Sequence, residues 1–242
     1  MQIFAHSASI LEQKKEAAVR DLSPQYLSSS FKAVIFDFDG TLADSGDVWQ
    51  GVDRDFFAAR NLPYDDRYAE KLALLGFKDG AQYTIETYGL SETVEELCAE
   101  WNAMGVERYR TGVDLRPHAA DYINSVKSLG IPVSLATTND PEVIGAMEHR
   151  CSIKELLPIR VFGREVANSN KDKPDIYLEA CRRMGVSPQD CVVFEDLPAA
   201  ILTAKSIGIT TCGVFTGRPD QNTARLVEEA TYCIESWQEL LG

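Results

Sequence analysis

The chain of 242 residues has little of what builds zinc sites or disulfide frameworks. It has three histidines, scattered along the sequence, and six cysteines, none of which form a CxxC pair. This scarcity argues against a histidine-built zinc site. Several cysteines lie within apolar runs, which predicts small buried side chains in a reducing compartment. We therefore expect a cytoplasmic protein.

The sequence also lacks an excess of basic residues and any long apolar run. Lysine and arginine number 24 against 37 aspartates and glutamates, giving a net charge of −13. A field of this sign repels phosphate backbones and anionic lipids, so we expect neither nucleic acid nor membrane as a partner. No apolar run approaches the roughly 20 residues that a membrane span needs. An anionic substrate would need positive charge supplied locally.

The first 30 residues differ in character from the rest. They lack a basic start followed by an apolar core, so no cleaved signal peptide is expected. Residues 10–22 predict an amphipathic helix that Ser23-Pro24 breaks, and the serines at 28–30 predict a linker. We therefore predict an N-terminal extension over residues 1–30 and assign no chemistry to it.

From residue 31 onward, short apolar runs alternate with helical patterns. Strands are predicted at 32–36, 132–137, 159–162, 191–194, 210–215 and 232–234. Helices are predicted at 117–129, 175–184 and 199–207, each followed by a glycine. Strands alternating with helices indicate an α/β fold, with a parallel Rossmann-like sheet and helices on both faces.

The stretch from 48 to 111 interrupts this alternation. It has no convincing strand, and its patterns predict helices at 48–60, 67–74, 80–88 and 93–110. An insertion directly after the first strand predicts an all-α cap over the carboxyl edge of the sheet, where open α/β sheets bind ligands. We therefore predict a core formed by residues 31–47 and 112–242, and a helical cap at 48–111.

Two pairs of acidic residues stand at the ends of predicted strands. Asp37 and Asp39 follow the first strand, and Glu195 and Asp196 follow the strand at 191–194. The carboxyl ends of parallel strands meet at one edge, where these carboxylates would repel each other without a cation. Oxygen ligands of this kind suit Mg²⁺. Turn formation and helix capping are the plainer alternatives.

Two further segments bring hydroxyls and a positive charge. Thr137, Thr138 and Asn139 end the second strand, where hydroxyls and amides entering a helix can bind an anion or simply cap the helix. Lys171 precedes the predicted helix at 175–184. This lysine could neutralise both the carboxylates and a bound phosphate, or belong to a solvated loop.

Taken together and in this order, the four segments resemble the haloacid dehalogenase (HAD) superfamily, in its phosphatase branch with a helical cap. The resemblance rests above all on Asp37-Phe38-Asp39-Gly40-Thr41-Leu42 and on Glu195-Asp196, and it spans roughly residues 31–242. It implies hydrolysis of a small phosphate monoester, such as a sugar phosphate, with Mg²⁺ and through an aspartyl-phosphate. Oligomeric state stays open between monomer and homodimer.

The resemblance also implies roles for individual acidic residues. Asp37 would be the nucleophile that forms the aspartyl-phosphate. Asp39 would protonate the leaving oxygen and then activate water. Mg²⁺ would be held by the Asp37 carboxylate, the Asp39 carbonyl and Asp196, with Glu195 acting through a water.

The remaining implied roles concern the phosphate. Thr137 would bind it through its hydroxyl, or Thr138 would if the strand ends one residue later. Asn139 and Gly40 would contribute to the same phosphate site. Lys171 would pair with the phosphate and with Asp37, and the spacing typical of the family selects it over Lys173.

The sequence also bears on three alternatives to a phosphatase, namely a dehalogenase, a mutase and a non-catalytic relative. Asp39 argues against a dehalogenase, which lacks the second aspartate. A β-phosphoglucomutase would carry a histidine twelve residues after the nucleophile, where this chain has Trp49. A non-catalytic metal-binding or scaffold relative would not need the full set of nucleophile, acid and lysine.

Two residues of the predicted cap are candidates for substrate specificity. Trp49 could line the pocket for the leaving group, although packing between the cap and the core would explain an aromatic residue at this position equally well. Lys78 could meet a second anionic group or a sugar hydroxyl, or be solvated.

Overall fold

A computed structural model describes residues 2–65, 68, 71–72, 75, 77–167, 171–219 and 221–242, with side chains from residue 9 onward. The chain divides into two compact units. Met1–Asp44 and Asp114–Gly242 form the first, which we call the α/β unit. Ser45–Val113 forms the second, which we call the helical unit.

The α/β unit contains a parallel sheet. Its strands are β1 (Ala33–Phe36), β2 (Val133–Thr137), β3 (Ile159–Phe162), β4 (Cys191–Glu195), β5 (Thr210–Val214) and β6 (Tyr232–Ile234). They run in the order β3-β2-β1-β4-β5-β6, and every pair of neighbours is parallel. In this register Phe36 lies opposite both Leu135 and Phe194. The predicted parallel α/β fold is confirmed.

The described helices occur in both units. Those of the α/β unit that precede and follow the insertion are α1 (Gln2–Leu22), α2 (Pro24–Ser30), α6 (Ala119–Ser128), α7 (Pro141–Gly145), α8 (Glu148–Cys151), α9 (Ile153–Leu156), α10 (Asp175–Met184), α11 (Pro198–Ser206) and α12 (Thr223–Glu229). Those of the helical unit are α3 (Val48–Ala59), α4 (Phe77–Tyr88) and α5 (Val94–Gly112).

Helices cover both faces of the sheet, as the alternating pattern predicted. Ile35 packs into a buried cluster with Ile176 of α10. The next side chain along β1, Phe36, stacks on Phe194 with ring centroids 5.3 Å apart and meets Tyr122 of α6 edge-on. Because successive strand side chains point to opposite faces, α10 and α6 lie on opposite sides of β1.

The predicted linker at 28–30 is wrong. These serines belong to α2, which begins with Pro24 in its first turn and buries Leu27. Proline suits the first turn of a helix, and burial of one leucine offsets the weak helix propensity of serine. The preceding helix, α1, packs within the α/β unit, because Leu22 is fully buried and its carbonyl accepts a hydrogen bond from the Tyr122 hydroxyl at 2.7 Å.

Most element boundaries agree with the predicted ones to within one or two residues, but α1 begins at Gln2 rather than at residue 10. The helix predicted from 117 begins at Ala119 because His118 adopts a left-handed conformation with φ of 65°. That conformation is incompatible with a helical turn. In the helical unit, α4 starts at Phe77 rather than at residue 80.

The helical unit is held together by aromatic side chains. The Phe57 ring lies 5.1 Å from the rings of Tyr64, Tyr68 and Tyr88. Its helix α5 starts with a capping box in which Thr93 and Glu96 satisfy each other's backbone N–H groups. No strand occurs in the described part of this unit. The helix predicted at 67–74 lies mostly outside the described residues.

Among the helices that the structure describes, none combines the length and apolar character needed to cross a membrane.

Candidate active site

The order of the strands brings the carboxyl ends of β1, β2 and β4 together in the α/β unit. Asp37 follows β1, while Thr137 and Glu195 are the last residues of β2 and β4, the two neighbours of β1. The strands that follow β1 in sequence are added first on one side of it, as β2 and β3, and then on the other side, as β4, β5 and β6. This reversal is a topological switch point, where open α/β sheets bind ligands. Asp37 is 6% exposed, and Thr137 and Glu195 are fully buried.

Lys171 joins the carboxylates of two strands. Its Nζ donates to Asp37 Oδ1 and, at 2.5 Å, to Glu195 Oε1. Burial lowers the pKa of Lys171, but the two carboxylates outweigh burial and hold that pKa above its ordinary value. Lys171 is therefore a fixed cation, whereas Lys173 is exposed.

Glu195 accepts hydrogen bonds on both of its oxygens. The Tyr177 hydroxyl donates to Oε1 at 2.9 Å, next to Lys171. The backbone N–H groups of Asp196 and Leu197 donate to Oε2 at 3.1 and 3.3 Å. Burial, together with the Asp37 charge, raises the pKa of Glu195 to about 6. The principal visible role of Glu195 is therefore to anchor Lys171 and the chain that follows β4.

The carboxylates of Asp37, Glu195 and Asp196 form a group that could hold a metal ion. One oxygen of each lies within 4.8 Å of the others. Asp37 Oδ2 is buried and has no hydrogen-bond partner among the described residues. Burial and the neighbouring carboxylates of Asp37 and Glu195 raise the pKa of Asp196 to about 9. A hard divalent cation fits this set, because it would satisfy the oxygen and offset the repulsion.

The side chain of Asp39 has a different set of contacts. Asn139 Nδ2 donates to Asp39 Oδ2 at 2.6 Å. The backbone N–H of Asn139 in turn donates to Thr137 Oγ1 at 3.2 Å. Thr137 is fully buried at the end of β2, whereas Thr138 is exposed. The two loops that follow β1 and β2 are thus joined through Asn139.

Gly40 allows a close approach between the β1 loop and Asp196. Its φ is +78°, and a Cβ at this position would lie 2.4 Å from Asp196 Oδ2. Any side chain here would be strained and would displace that carboxylate. Arg116 fixes the same loop by donating to the Gly40 carbonyl at 2.8 Å and to the Phe215 carbonyl at 2.7 Å.

Gln221 holds the backbone of Asp196 from the other side. Its Nε2 donates to the carbonyls of Asp196 and Val214, each at 2.9 Å, and its Oε1 accepts from the Thr216 N–H at 3.0 Å. A single amide side chain therefore connects the loops that follow β4 and β5.

Sequence reasoning missed three contributors to this site, namely Tyr177, Arg116 and Gln221. Tyr177 offered a signal, because it stands in the same segment as Lys171. Arg116 and Gln221 offered none, because they contact backbone atoms of loops distant in sequence.

The predicted specificity residues belong to the helical unit. Trp49 lies half-buried on α3, with its ring 5.5 Å from that of Phe77. A Cβ added to Gly105 would lie 2.9 Å from the Trp49 ring, so the indole packs against α5. Lys78 is exposed on α4. A role in specificity remains a prediction for both.

Comparison with known protein families identifies the class to which this fold and site belong. The family model described as haloacid dehalogenase-like hydrolase matches residues 31–208. The chain belongs to this family.

Individual relatives place it among the phosphatases of that family. It is 30% identical to the protein CbbY of Rhodobacter capsulatus, over 74% of this chain and 82% of that protein. It is 26% identical to a phosphorylated carbohydrates phosphatase of Thermotoga maritima, over 74% and 82%. The crystal structure of CbbY from Rhodobacter sphaeroides in complex with phosphate matches with a TM-score of 0.72 and 25% identity, covering 87% of this chain and 96% of that one. The protein is a phosphoric monoester hydrolase for small phosphorylated metabolites.

Proposed function

We propose that this protein hydrolyses a sugar phosphate or similar ester with Mg²⁺, through an aspartyl-phosphate on Asp37. The observation that carries the proposal is the environment of the Asp37 carboxylate. One oxygen is held by Lys171, and the other is buried without a protein partner among the described residues. A carboxylate prepared in this way is suited to attack an electrophile beside a cation.

Mg²⁺ would be held by the Asp37 carboxylate, the Asp39 carbonyl and Asp196. Glu195 already accepts from four protein groups and would act through a water. When bound, the ion would offset the negative charge of the carboxylates and of the phosphate oxygens. Gln221 and Arg116 would keep these ligands in place, because they donate to the backbone carbonyls of Asp196 and Gly40, respectively.

The chain's own residues supply the rest of the chemistry. Asp37 attacks phosphorus while Asp39 gives a proton to the leaving oxygen. Asp39 then takes a proton from the water that hydrolyses the aspartyl-phosphate. Lys171 fixes Asp37 and brings positive charge toward the phosphate. Phosphoryl transfer depends mainly on such positioning and charge compensation.

The phosphate would be bound by groups at the ends of β1 and β2. The Thr137 hydroxyl lies at the end of its strand and can donate while it accepts from the Asn139 N–H. Thr138 and the Gly40 backbone would line the same site. Asn139 belongs to this group through its place in the loop, although its side chain donates to Asp39.

The choice of substrate is proposed from the relatives and from the helical unit. One relative is named a phosphorylated carbohydrates phosphatase, which supports a phosphorylated carbohydrate for this chain. Trp49 and Lys78 of the helical unit are the residues proposed to contribute to selectivity. The histidine expected of a β-phosphoglucomutase is Trp49 here, so hydrolysis is favoured over transfer between sugar positions.

The test is phosphate release from a panel of sugar phosphates, phosphoglycolate and nucleoside monophosphates, with and without Mg²⁺. We expect Mg²⁺-dependent release that Asp37→Asn lowers by about 10³-fold or more, because the amide cannot attack phosphorus. The matched control is Asp121→Asn, the same change at an exposed position of α6, which should retain parental activity. Parental turnover by folded Asp37→Asn would refute the proposal.

A further inference from the structure

Asn139 links two loops whose strands are neighbours in the sheet. Its Nδ2 donates to Asp39 Oδ2 at 2.6 Å. Its own backbone is held in place, because the Asn139 N–H donates to the buried hydroxyl of Thr137. Asp39 and Asn139 both belong to the α/β unit, and both are partly buried. The amide is therefore aimed at one particular oxygen of Asp39.

We propose that Asn139 is a positioning residue that fixes the orientation of the Asp39 carboxyl for proton transfer to the leaving oxygen. This inference rests on the function proposed above. An amide N–H is a donor and a carboxylate oxygen is an acceptor. This contact therefore holds the Asp39 carboxyl in one orientation.

The consequence for the reaction can be written atom by atom. Asp37 forms a bond to phosphorus as the bond from phosphorus to the leaving oxygen breaks, and the proton of the Asp39 carboxyl passes to that oxygen. Water then attacks phosphorus, the bond to Asp37 breaks, and a water proton returns to the Asp39 carboxylate. Asn139 keeps its protons throughout and acts only by fixing the Asp39 carboxyl.

The effect of replacing Asn139 on the reaction rate should depend on the leaving group if Asn139 positions the acid. It should not depend on the leaving group if Asn139 only stabilises the loop. An alkoxide that leaves from a sugar phosphate needs a proton in the transition state, whereas a nitrophenolate is stable as an anion. A misplaced Asp39 should therefore slow the first step for an alkyl ester and spare it for an aryl ester. A general loss of loop structure would slow both equally.

The experiment compares kcat/KM for two substrates, the best sugar phosphate of the panel and p-nitrophenyl phosphate, both with Mg²⁺. This parameter reports the first irreversible step, where the leaving group departs. We expect Asn139→Ala to lower kcat/KM roughly 10-fold or more for the sugar phosphate and less than about 3-fold for the aryl ester. Asn139→Leu, which has a similar size but no donor and no charge, should show the same selective loss.

A double-mutant cycle with Asp39→Asn completes the test. If Asn139 acts through Asp39, adding Asn139→Ala to Asp39→Asn should cause no further loss for the sugar phosphate. Asn222→Ala is the matched control, since it removes an asparagine side chain that caps α12 and should show no leaving-group dependence.

Two results would overturn the inference. Equal losses for both esters, or independent additive losses in the cycle, would show that Asn139 stabilises the loop without positioning the acid. A parental chain that hydrolyses neither ester with Mg²⁺ would overturn the proposed function and this inference with it. The two failures are distinguishable, because the first requires an active parental enzyme.

Discussion

Tyr177 provides the side-chain hydrogen bond that connects α10 to the site. Its hydroxyl donates to Glu195 Oε1 at 2.9 Å, and the side chain is fully buried. The same oxygen accepts from Lys171, so the position of the lysine depends on a carboxylate that Tyr177 helps to orient. Hydrogen bonds to buried charged groups are among the stronger ones.

Replacing Tyr177 by phenylalanine tests this contribution. The ring would still fill the core, but Glu195 would lose one of its donors. We expect the free energy of unfolding to fall by about 1–2 kcal/mol, measured by urea denaturation at neutral pH. Tyr26→Phe serves as control, because Tyr26 is 52% exposed and its replacement should leave stability unchanged. Equal effects of the two changes would contradict the role given to Tyr177.

At the scale of elements, the helical unit carries a partly buried acid, Asp53, on α3. The Tyr64 hydroxyl donates to Asp53 Oδ2 at 3.3 Å. Burial raises the pKa of Asp53 from 3.8 to about 6. A raised pKa in the folded state means that the folded chain binds this proton more tightly than the unfolded chain. Asp53 therefore lowers stability as the pH rises from about 4 to 6, and the loss persists above pH 6.

Asp53→Asn should remove this pH-dependent cost while its amide oxygen still accepts from Tyr64. We expect the variant to exceed the parental chain in stability by about 1–2 kcal/mol near pH 7.5, allowing for partial solvent exposure, and by much less near pH 4.5. Urea denaturation at both pH values measures the difference. Asp79→Asn, at an exposed position of α4, is the control. A gain of the same size at both pH values would show that the Asp53 charge is not responsible.

The elements also show where sequence reasoning succeeds. Strands such as β3 and β6 were predicted to the residue, because short apolar runs bounded by turn residues have a clear pattern. The sequence predicts a linker at the serines of α2, whereas the structure forms a helix there that buries Leu27. Burial of that kind is a tertiary effect that local propensity does not contain.

At the scale of the whole molecule, the α/β unit gathers acidic and basic groups from distant parts of the chain. The convergence of Asp37, Glu195 and Asp196 followed from their places at strand ends, because parallel strands present those ends at one edge. Lys171 reaches these carboxylates from the loop before α10, and its role was implied by the family resemblance. The contact of Asn139 with Asp39 did not follow from the sequence. Both residues were assigned to the site, but which donor faces which oxygen depends on how the two loops pack.

The net charge of −13 explains why positive charge at the site matters. A protein of this charge repels a phosphorylated substrate at long range. Attraction must therefore come from charges placed at the site itself, namely Lys171 together with the ion that the carboxylates would hold. The fold places Lys171 beside these carboxylates where β1 and β4 end.

The most direct test of the account is to detect the phosphoryl group on Asp37. The enzyme would be mixed with p-nitrophenyl phosphate and Mg²⁺, quenched in acid during turnover and analysed by peptide mass spectrometry. We predict one phosphoryl group on the peptide that contains Asp37, more of it in Asp39→Asn because water activation is slowed, and none in Asp37→Asn. Phosphate release with no phosphoryl group on Asp37 in either the parental enzyme or Asp39→Asn would contradict this prediction.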